Sequence, residues 1–202
     1  MSLLFHEIHP DLSLQFAVWH LTEAESDLEA LSGIKAPPRL KTPTRRLEYL
    51  AVRTLAVTLG INPASIAYKS TGQPYLIDDP RTISITHTKG YAALLLSEKN
   101  GTGIDMEASS DRVRRVRHKY MHQDEEALMP STAIDETTAL LLYWCAKEAV
   151  FKAIPEEGVD FKQDIRVDLN AGAASFIPTG KSFILKTWNY WLTDSSATIS
   201  PT

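Results

Sequence analysis

Cysteine is nearly absent from this chain of 202 residues, which has one thiol, that of Cys145. A single cysteine excludes an internal disulfide framework and a cysteine-rich metal site. The chain also lacks the run of about 18 apolar residues that a membrane-spanning helix needs. Its first residues carry acids and histidines in place of the basic and apolar regions of a secretory signal. These absences predict a cytoplasmic protein that does not contact a membrane.

Neither sign of charge dominates the composition. The 21 Lys and Arg residues face 25 Asp and Glu residues, which gives a net charge of −4 and no general attraction to nucleic acid. The basic residues are nevertheless concentrated in two groups, which are Arg39, Lys41, Arg45, Arg46 and Arg53, and Arg112, Arg114, Arg115, Arg117 and Lys119. Local basic surfaces on an acidic protein are therefore expected.

The order of hydrophobic patterns predicts helices mixed with antiparallel strands. Helices are expected at 22–31, where Thr22 and Glu25 match a capping box, and at 42–60, 111–129 and 135–153. Strands are expected at 12–21, three times within 83–108 with turns at Lys89–Gly90 and Asn100–Gly101, and three times near the carboxyl end. This order favours an α+β fold of two similar lobes, residues 1–102 and 103–202, each with a helix packed on a small antiparallel sheet.

Two acids stand two residues apart in the stretch "TGIDMEA" (102–108). In an extended strand Asp105 and Glu107 share one face, where they repel each other unless a cation or a basic group lies between them. A solvated edge strand would also explain this pattern. The spacing alone leaves the two interpretations open.

The helix predicted at 135–153 carries Trp144, Glu148 and Lys152 at spacings of four residues, so they share one face. An exposed ion pair between Glu148 and Lys152, worth a few tenths of a kcal/mol, is one interpretation. The neighbouring Val150 and Phe151 indicate instead that part of this face is buried, and a buried charge needs a partner.

Asp105, Glu107 and Glu148 together form an all-oxygen donor set without clustered His or Cys. Such a set is typical of a site for a hard divalent cation, of which Mg²⁺ is the usual example. Because Mg²⁺ shares its coordination with phosphates, a phosphorylated substrate is expected. Lys152 would neutralise phosphate oxygens.

Several segments in this order resemble motifs of the 4′-phosphopantetheinyl transferase superfamily, in particular its longer, Sfp-type members. The segments are "STGQPYL", "ISITHTKGYAALLL", "GIDME" and "WCAKEAVFKA", together with the helix that carries Arg46. The similarity covers about residues 39–153. Gln73 departs from the family pattern, which has Lys in the turn before proline.

The resemblance implies a fold in which the two lobes form a pseudo-dimer within a monomer. The implied activity is that of a holo-acyl-carrier-protein synthase, which transfers 4′-phosphopantetheine from coenzyme A to a serine of an apo acyl or peptidyl carrier protein and releases 3′,5′-ADP. Fatty acid biosynthesis is one pathway that uses such carriers. The segment Arg112–Lys119 would dock an acidic carrier protein.

The resemblance also implies a role for individual residues. Asp105, Glu107 and Glu148 would hold Mg²⁺ in the C-terminal lobe, with Asp105, Glu148 and Lys152 catalytic and Glu148 taking the proton of the serine. Coenzyme A would be bound by Lys152 at the diphosphate and, chiefly from the N-terminal lobe, by Arg46, Thr86, His87 and Lys147. Arg39, Lys41 and Lys35 are alternative candidates for binding its 3′-phosphate.

Two other functions are compatible with the same residues. A metal-dependent phosphohydrolase or nuclease would use the three acids to hydrolyse phosphate esters without a carrier protein. A catalytically inactive homologue would bind coenzyme A or a carrier without turnover.

Overall fold

The computed structural model describes residues 2–129 and 135–186, which form a mixed α+β fold with small antiparallel sheets. The strands are β1 (Leu3–His9), β2 (Leu14–His20), β3 (Ile66–Tyr68), β4 (Pro74–Leu76), β5 (Thr82–Thr88), β6 (Tyr91–Ser97), β7 (Ile165–Asp168), β8 (Ala173–Phe176) and β9 (Lys181–Ile184). The helices are α1 (Glu25–Ser32), α2 (Pro43–Thr58), α3 (Arg112–Tyr120), α4 (Gln123–Leu128) and α5 (Glu136–Ala153). None of these described helices is long and apolar enough to cross a membrane.

The first sheet has the strand order β1-β2-β6-β5. One of its faces packs on α1 and α2 around a core that includes Trp19, Leu50 and Leu94. The opposite face carries a second, buried apolar cluster, against which Ile104 and Met106 pack. The segment 103–108 therefore lies on the sheet of the preceding half of the chain.

The second sheet has the order β7-β8-β9 and packs on α5. Its core is separate from the first and includes Leu140, Tyr143, Ile165 and Phe176. The prediction of helices packed on small antiparallel sheets is confirmed, whereas the pseudo-dimer of two similar lobes stays a prediction.

Local signals explain where the two long helices begin. The Thr42 side chain accepts a hydrogen bond from Arg45 N and precedes Pro43, the first residue of α2. Asp135 caps α5 in the same way by accepting from Thr137 N and Thr138 N. Both helices lie within the segments that the sequence predicted.

The prediction of a capping box at Thr22 and Glu25 was wrong. The helix α1 begins at Glu25 after Ala24, and no side chain caps it. Glu25 pairs with Arg46, and the Thr22 hydroxyl contacts the Ser2 hydroxyl. A contact with a distant part of the chain has replaced the local cap.

Three other differences concern which helices and strands form. The predicted third strand within 83–108 is absent from the described structure, where residues 102–110 are in neither helix nor strand. The predicted helix at 111–129 is two helices, because the backbone is extended at Met121 and His122, and His122 caps α4 in a capping box with Glu125. The strand β1 was not predicted, and the last predicted strand, 182–192, is described only as far as Lys186.

Candidate active site

The segment 103–108 lies between β5 and α5. A Cβ atom at Gly103 would lie 2.0 Å from the Ala149 carbonyl oxygen of α5, so only glycine allows the two backbones to approach this closely. This contact brings Asp105 and Glu107 to the helix that carries Glu148.

On the other side, hydroxyl groups of β5 bind the backbone of the segment. Ile104 N donates to Ser84 Oγ at 3.1 Å, and Ala108 N donates to Thr88 Oγ1 at 3.1 Å. Ser84 and Thr88 lie four residues apart and therefore point to the same face of the strand. The segment is thus tied to the sheet by side chains.

Asp105 is the most constrained acid of the site. Its Oδ1 atom accepts hydrogen bonds from Thr86 Oγ1 at 3.0 Å and from Lys152 Nζ at 2.7 Å, and its side chain is 5% exposed. Its Oδ2 atom is buried and accepts no hydrogen bond from an N–H or O–H group of the described residues. A buried carboxylate oxygen without a donor is costly, and a bound cation would remove this cost.

Glu148 shares the electrostatic environment of the two strand-side acids. Burial raises its pKa, and the nearby Asp105 and Glu107 carboxylates raise it further, while Lys152 opposes the shift. Burial and the Asp105 carboxylate also raise the pKa of the Cys145 thiol far above its ordinary range. The thiol therefore stays protonated and is not a nucleophile.

Asp105, Glu107 and Glu148 supply the oxygen donors that a hard cation prefers, so the donor chemistry fits Mg²⁺. Within residues 2–129 and 135–186, however, no three His, Cys, Asp or Glu side chains converge closely enough to hold a metal ion. The acids are neighbours whose side chains do not meet at one point.

A cleft of about 850 Å³ opens beside Lys152. Its walls come from α2, the β3–β4 hairpin and β5 on one side, and from the end of α5 and residues 154–158 on the other. Its lining includes the cationic side chains of Arg45, Arg53 and Lys152 as well as His87, together with three acids, Glu48, Glu156 and Glu157. A cleft of this size can hold a nucleotide-sized ligand with several phosphates.

Arg45 and His87 form one group on the wall of the cleft. Arg45 Nη1 lies 3.2 Å from His87 Nε2 and 3.0 Å from a Glu48 carboxylate oxygen, and His87 Nδ1 lies 3.7 Å from the other oxygen of Glu48. Glu48 therefore orients both side chains. His87 lines the cleft, and its contact with a phosphate stays a prediction.

Arg46 does not line the cleft. Its Nε donates to Glu25 Oε2 at 2.7 Å, and a second contact makes the pair with this carboxylate bidentate. Adjacent helical residues point about 100° apart, so Arg45 faces the cleft when Arg46 faces α1. Arg45 therefore lines the cleft in place of Arg46, which the sequence analysis named, and Arg39 is exposed in the loop before α2.

Lys147 is buried in the second core and does not reach the cleft. Its side chain is 0% exposed, and its Nζ donates to the carbonyl oxygens of Tyr120, Phe161 and Ile165 at 2.7, 2.8 and 2.9 Å. It also lies 2.8 Å from Glu125 Oε2. With these partners the ammonium group cannot bind a ligand, and the predicted contact with coenzyme A is corrected to a structural role.

Arg53 is a cleft residue to which the sequence analysis gave no role. Its side chain is 3% exposed, and its guanidinium lies 4.0 Å from the ring centre of Tyr49 and 5.8 Å from that of Tyr68. No carboxylate among the described residues forms an ion pair with it. The signal that could have revealed it is the spacing of four residues between Tyr49 and Arg53 on α2.

The basic helix α3 is only partly neutralised. Arg114 and Arg117 form ion pairs with Glu136, and Arg117 also pairs with Glu126. Three exposed cations of the helix have no ion pair within the described part of the chain, and these are Arg112, Arg115 and Lys119. Their spacing of three and four residues places them on one face.

Comparisons with known proteins agree with the motifs at this site. The family model of the 4′-phosphopantetheinyl transferase superfamily matches residues 101–200, which include "GIDME" and "WCAKEAVFKA". A Haemophilus influenzae protein described as "Putative 4'-phosphopantetheinyl transferase" is 28% identical over 116 residues, or 54% of this chain. The alignment spans about half of that relative, 49% of its length. The resemblance to the 4′-phosphopantetheinyl transferase superfamily, which the sequence motifs predicted, is thereby confirmed for residues 101–200.

Proposed function

We propose that this protein transfers the 4′-phosphopantetheine group of coenzyme A to a serine of an apo acyl or peptidyl carrier protein, with release of 3′,5′-ADP. The observation that carries the proposal is the position of Lys152, which lines a cleft with Arg45, Arg53 and His87 and donates a hydrogen bond to Asp105. Acids that could hold a metal ion, next to a cleft with arginine and lysine side chains in its lining, suit a reaction at a diphosphate.

Asp105, Glu107 and Glu148 would hold Mg²⁺, and the buried Oδ2 atom of Asp105 supports this assignment. When bound, the ion supplies charge neutralisation on the diphosphate and on the leaving nucleotide. Lys152 adds a positive charge at the same end of the cleft. The metal dependence is part of the proposal.

The chemical step requires one proton transfer. The serine oxygen forms a bond to the β-phosphorus of coenzyme A, the bond from this phosphorus to the bridging oxygen breaks, and that oxygen leaves with 3′,5′-ADP. The Glu148 carboxylate would take the serine proton, since it lies beside Asp105 and Lys152. Lys152 would steady the diphosphate during this step.

Arg45 and His87 would bind phosphates at the nucleotide end of coenzyme A, with Arg45 in the place first given to Arg46. Arg39, exposed before α2, is a further candidate for the 3′-phosphate. Gln73 also lines the cleft, where it contributes no charge. Weaker binding of the nucleotide than with lysine at this position is expected.

The exposed cations of α3 would dock an acidic carrier protein, such as one of fatty acid biosynthesis. The proposal also includes that the protein is a monomer of two similar lobes and that it acts in the cytoplasm. Size-exclusion chromatography with light scattering measures the oligomeric state.

Mass spectrometry of an apo carrier protein incubated with coenzyme A, Mg²⁺ and the protein tests the activity. A mass gain of one phosphopantetheinyl group is expected with the wild type, and no gain with the Asp105→Ala or Glu148→Ala variants. Hydrolysis of coenzyme A without any carrier would indicate a phosphohydrolase. Tight binding of coenzyme A in calorimetry without turnover would indicate an inactive homologue.

A further inference from the structure

The strand β5 carries a hydroxyl at every second position. Thr82, Ser84, Thr86 and Thr88 alternate with Ile83, Ile85 and His87, so the hydroxyls share one face of the strand. We call these four residues the hydroxyl row. The alternate residues face the first core and the cleft.

The hydroxyl row replaces the backbone pairing that a neighbouring strand would supply. Among the described residues no backbone hydrogen bond joins 103–108 to β5, whereas Ser84 and Thr88 bind its backbone through their side chains. Backbone pairing is independent of side-chain identity, but this attachment is not. The position of the acids therefore depends on which residues β5 carries.

Two hydroxyls of the row also bind the acids directly. Thr86 Oγ1 donates to Asp105 Oδ1 at 3.0 Å, and Thr88 Oγ1 donates to Glu107 Oε2 at 3.3 Å. Since Lys152 donates to the same Oδ1 atom, both donors hold one oxygen of Asp105 and leave Oδ2 without an N–H or O–H donor, and the Cys145 thiol is the remaining hydrogen-bonding neighbour of this carboxylate among the described residues. Because Oδ1 is held by two donors, the orientation of the carboxylate, and with it the direction in which Oδ2 points, is fixed.

We propose that Thr86 is a positioning residue, which together with Lys152 holds Asp105 so that Oδ2 is available to a divalent cation. Thr88 has the same function for Glu107 through a longer hydrogen bond. The inference rests on the proposed function for its metal, and it changes the role of Thr86 from binding phosphate to orienting a metal ligand. Residues that orient metal ligands typically change metal affinity by about 10- to 100-fold.

The test compares Thr86→Val, which keeps the shape but removes the hydroxyl, with Thr86→Ser, which keeps the hydroxyl. Thr82→Val is the matched control, because the Thr82 hydroxyl binds Lys99 O at 2.8 Å and contacts neither acid. The readouts are the binding of Mn²⁺ to the free protein by electron paramagnetic resonance and the temperature of thermal unfolding.

Thr86→Val is expected to weaken Mn²⁺ binding at least about 10-fold. Thr86→Ser is expected to stay within about threefold of the wild type, and Thr82→Val to bind Mn²⁺ like the wild type with a similar unfolding temperature. Unchanged binding in Thr86→Val, equal losses in Thr86→Val and Thr82→Val, or no Mn²⁺ binding by the wild type would overturn the inference.

The carrier assay separates this inference from the proposed function. Hydroxyl-dependent Mn²⁺ binding without any transfer to the carrier would leave the inference standing and refute the transferase. Transfer to the carrier, combined with Mn²⁺ binding that is the same in the wild type and Thr86→Val, would support the transferase and refute the inference.

Discussion

Lys152 Nζ lies 2.7 Å from Asp105 Oδ1 and 3.2 Å from Ile104 O, so one ammonium group joins the last turn of α5 to the segment 103–108. The Lys152 side chain is 25% exposed while that of Asp105 is 5% exposed. Most of the energetic consequence of breaking the pair therefore falls on the acid, which would keep a buried charge with one donor fewer.

Lys152→Met is expected to lower the free energy of unfolding by about 1–3 kcal/mol, less than for a fully buried pair because the lysine is partly in water. Asp105→Asn in the same chain should recover part of this loss, because the uncompensated charge is removed. Urea denaturation of the two single variants and the double variant measures the coupling. Strictly additive effects would show that the pair does not stabilise the fold.

Gly103→Ala is expected to destabilise the protein by about 1–3 kcal/mol, because the added Cβ atom would lie 2.0 Å from Ala149 O and the segment must move. The same displacement carries Asp105 away from Lys152, so transferase activity should fall at least about 10-fold. Gly90→Ala is the control, since a Cβ atom there meets nothing within 4 Å. That variant should lose about 1 kcal/mol through its positive φ and keep its activity.

Lys147→Met and Glu125→Gln are each expected to lower the free energy of unfolding by about 3–5 kcal/mol, because each leaves a buried partner uncompensated. The double variant should lose less than the sum of the two. Denaturation by urea gives these values, and the KM for coenzyme A of the folded protein should stay unchanged. A raised KM with normal stability would contradict the structural role and indicate that Lys147 binds coenzyme A.

Alkaline pH should destabilise the protein through Tyr143, a buried residue of the second core. Burial raises the pKa of Tyr143 from 10.0 to about 12, so the unfolded chain loses this proton first and stability falls between pH 10 and 12. By pH 11.5 the loss should reach about 2 kcal/mol.

Tyr143→Phe removes this titration. Its stability relative to the wild type, measured by urea denaturation, should improve between pH 9 and 11.5 by the same amount. A constant difference between the two proteins over this range would contradict the prediction.

Arg112→Ala, Arg115→Ala and Lys119→Ala should each raise the KM for an acidic carrier about two- to fivefold at low salt, since each removes an unpaired surface charge. The effects should shrink at high salt because ions screen the attraction. Lys99→Ala, which removes an exposed charge elsewhere, should leave this KM unchanged. Equal effects at both salt concentrations would argue against electrostatic docking.

Much of the local structure could be predicted from residue patterns. The helices α2 and α5, the turn at Lys89–Gly90 and the first two strands after residue 160 were confirmed, and the third strand is described over Lys181–Ile184. These elements depend on residues close together in the chain. The spacing of Asp105 and Glu107, and that of Glu148 and Lys152, is likewise a pattern of residues close together in the chain.

The sequence by itself determined these elements and the family motifs, because periodicity, capping and turn residues act over a few neighbouring positions. Only the tertiary structure decided that Arg45 faces the cleft while Arg46 pairs with Glu25, and that Lys147 is buried against Glu125. It also decided that hydroxyls of β5, in place of backbone pairing, hold the segment 103–108. Which side chains become partners depends on which surfaces pack together. That packing joins residues far apart in the chain, so the pattern of neighbouring residues does not predict it.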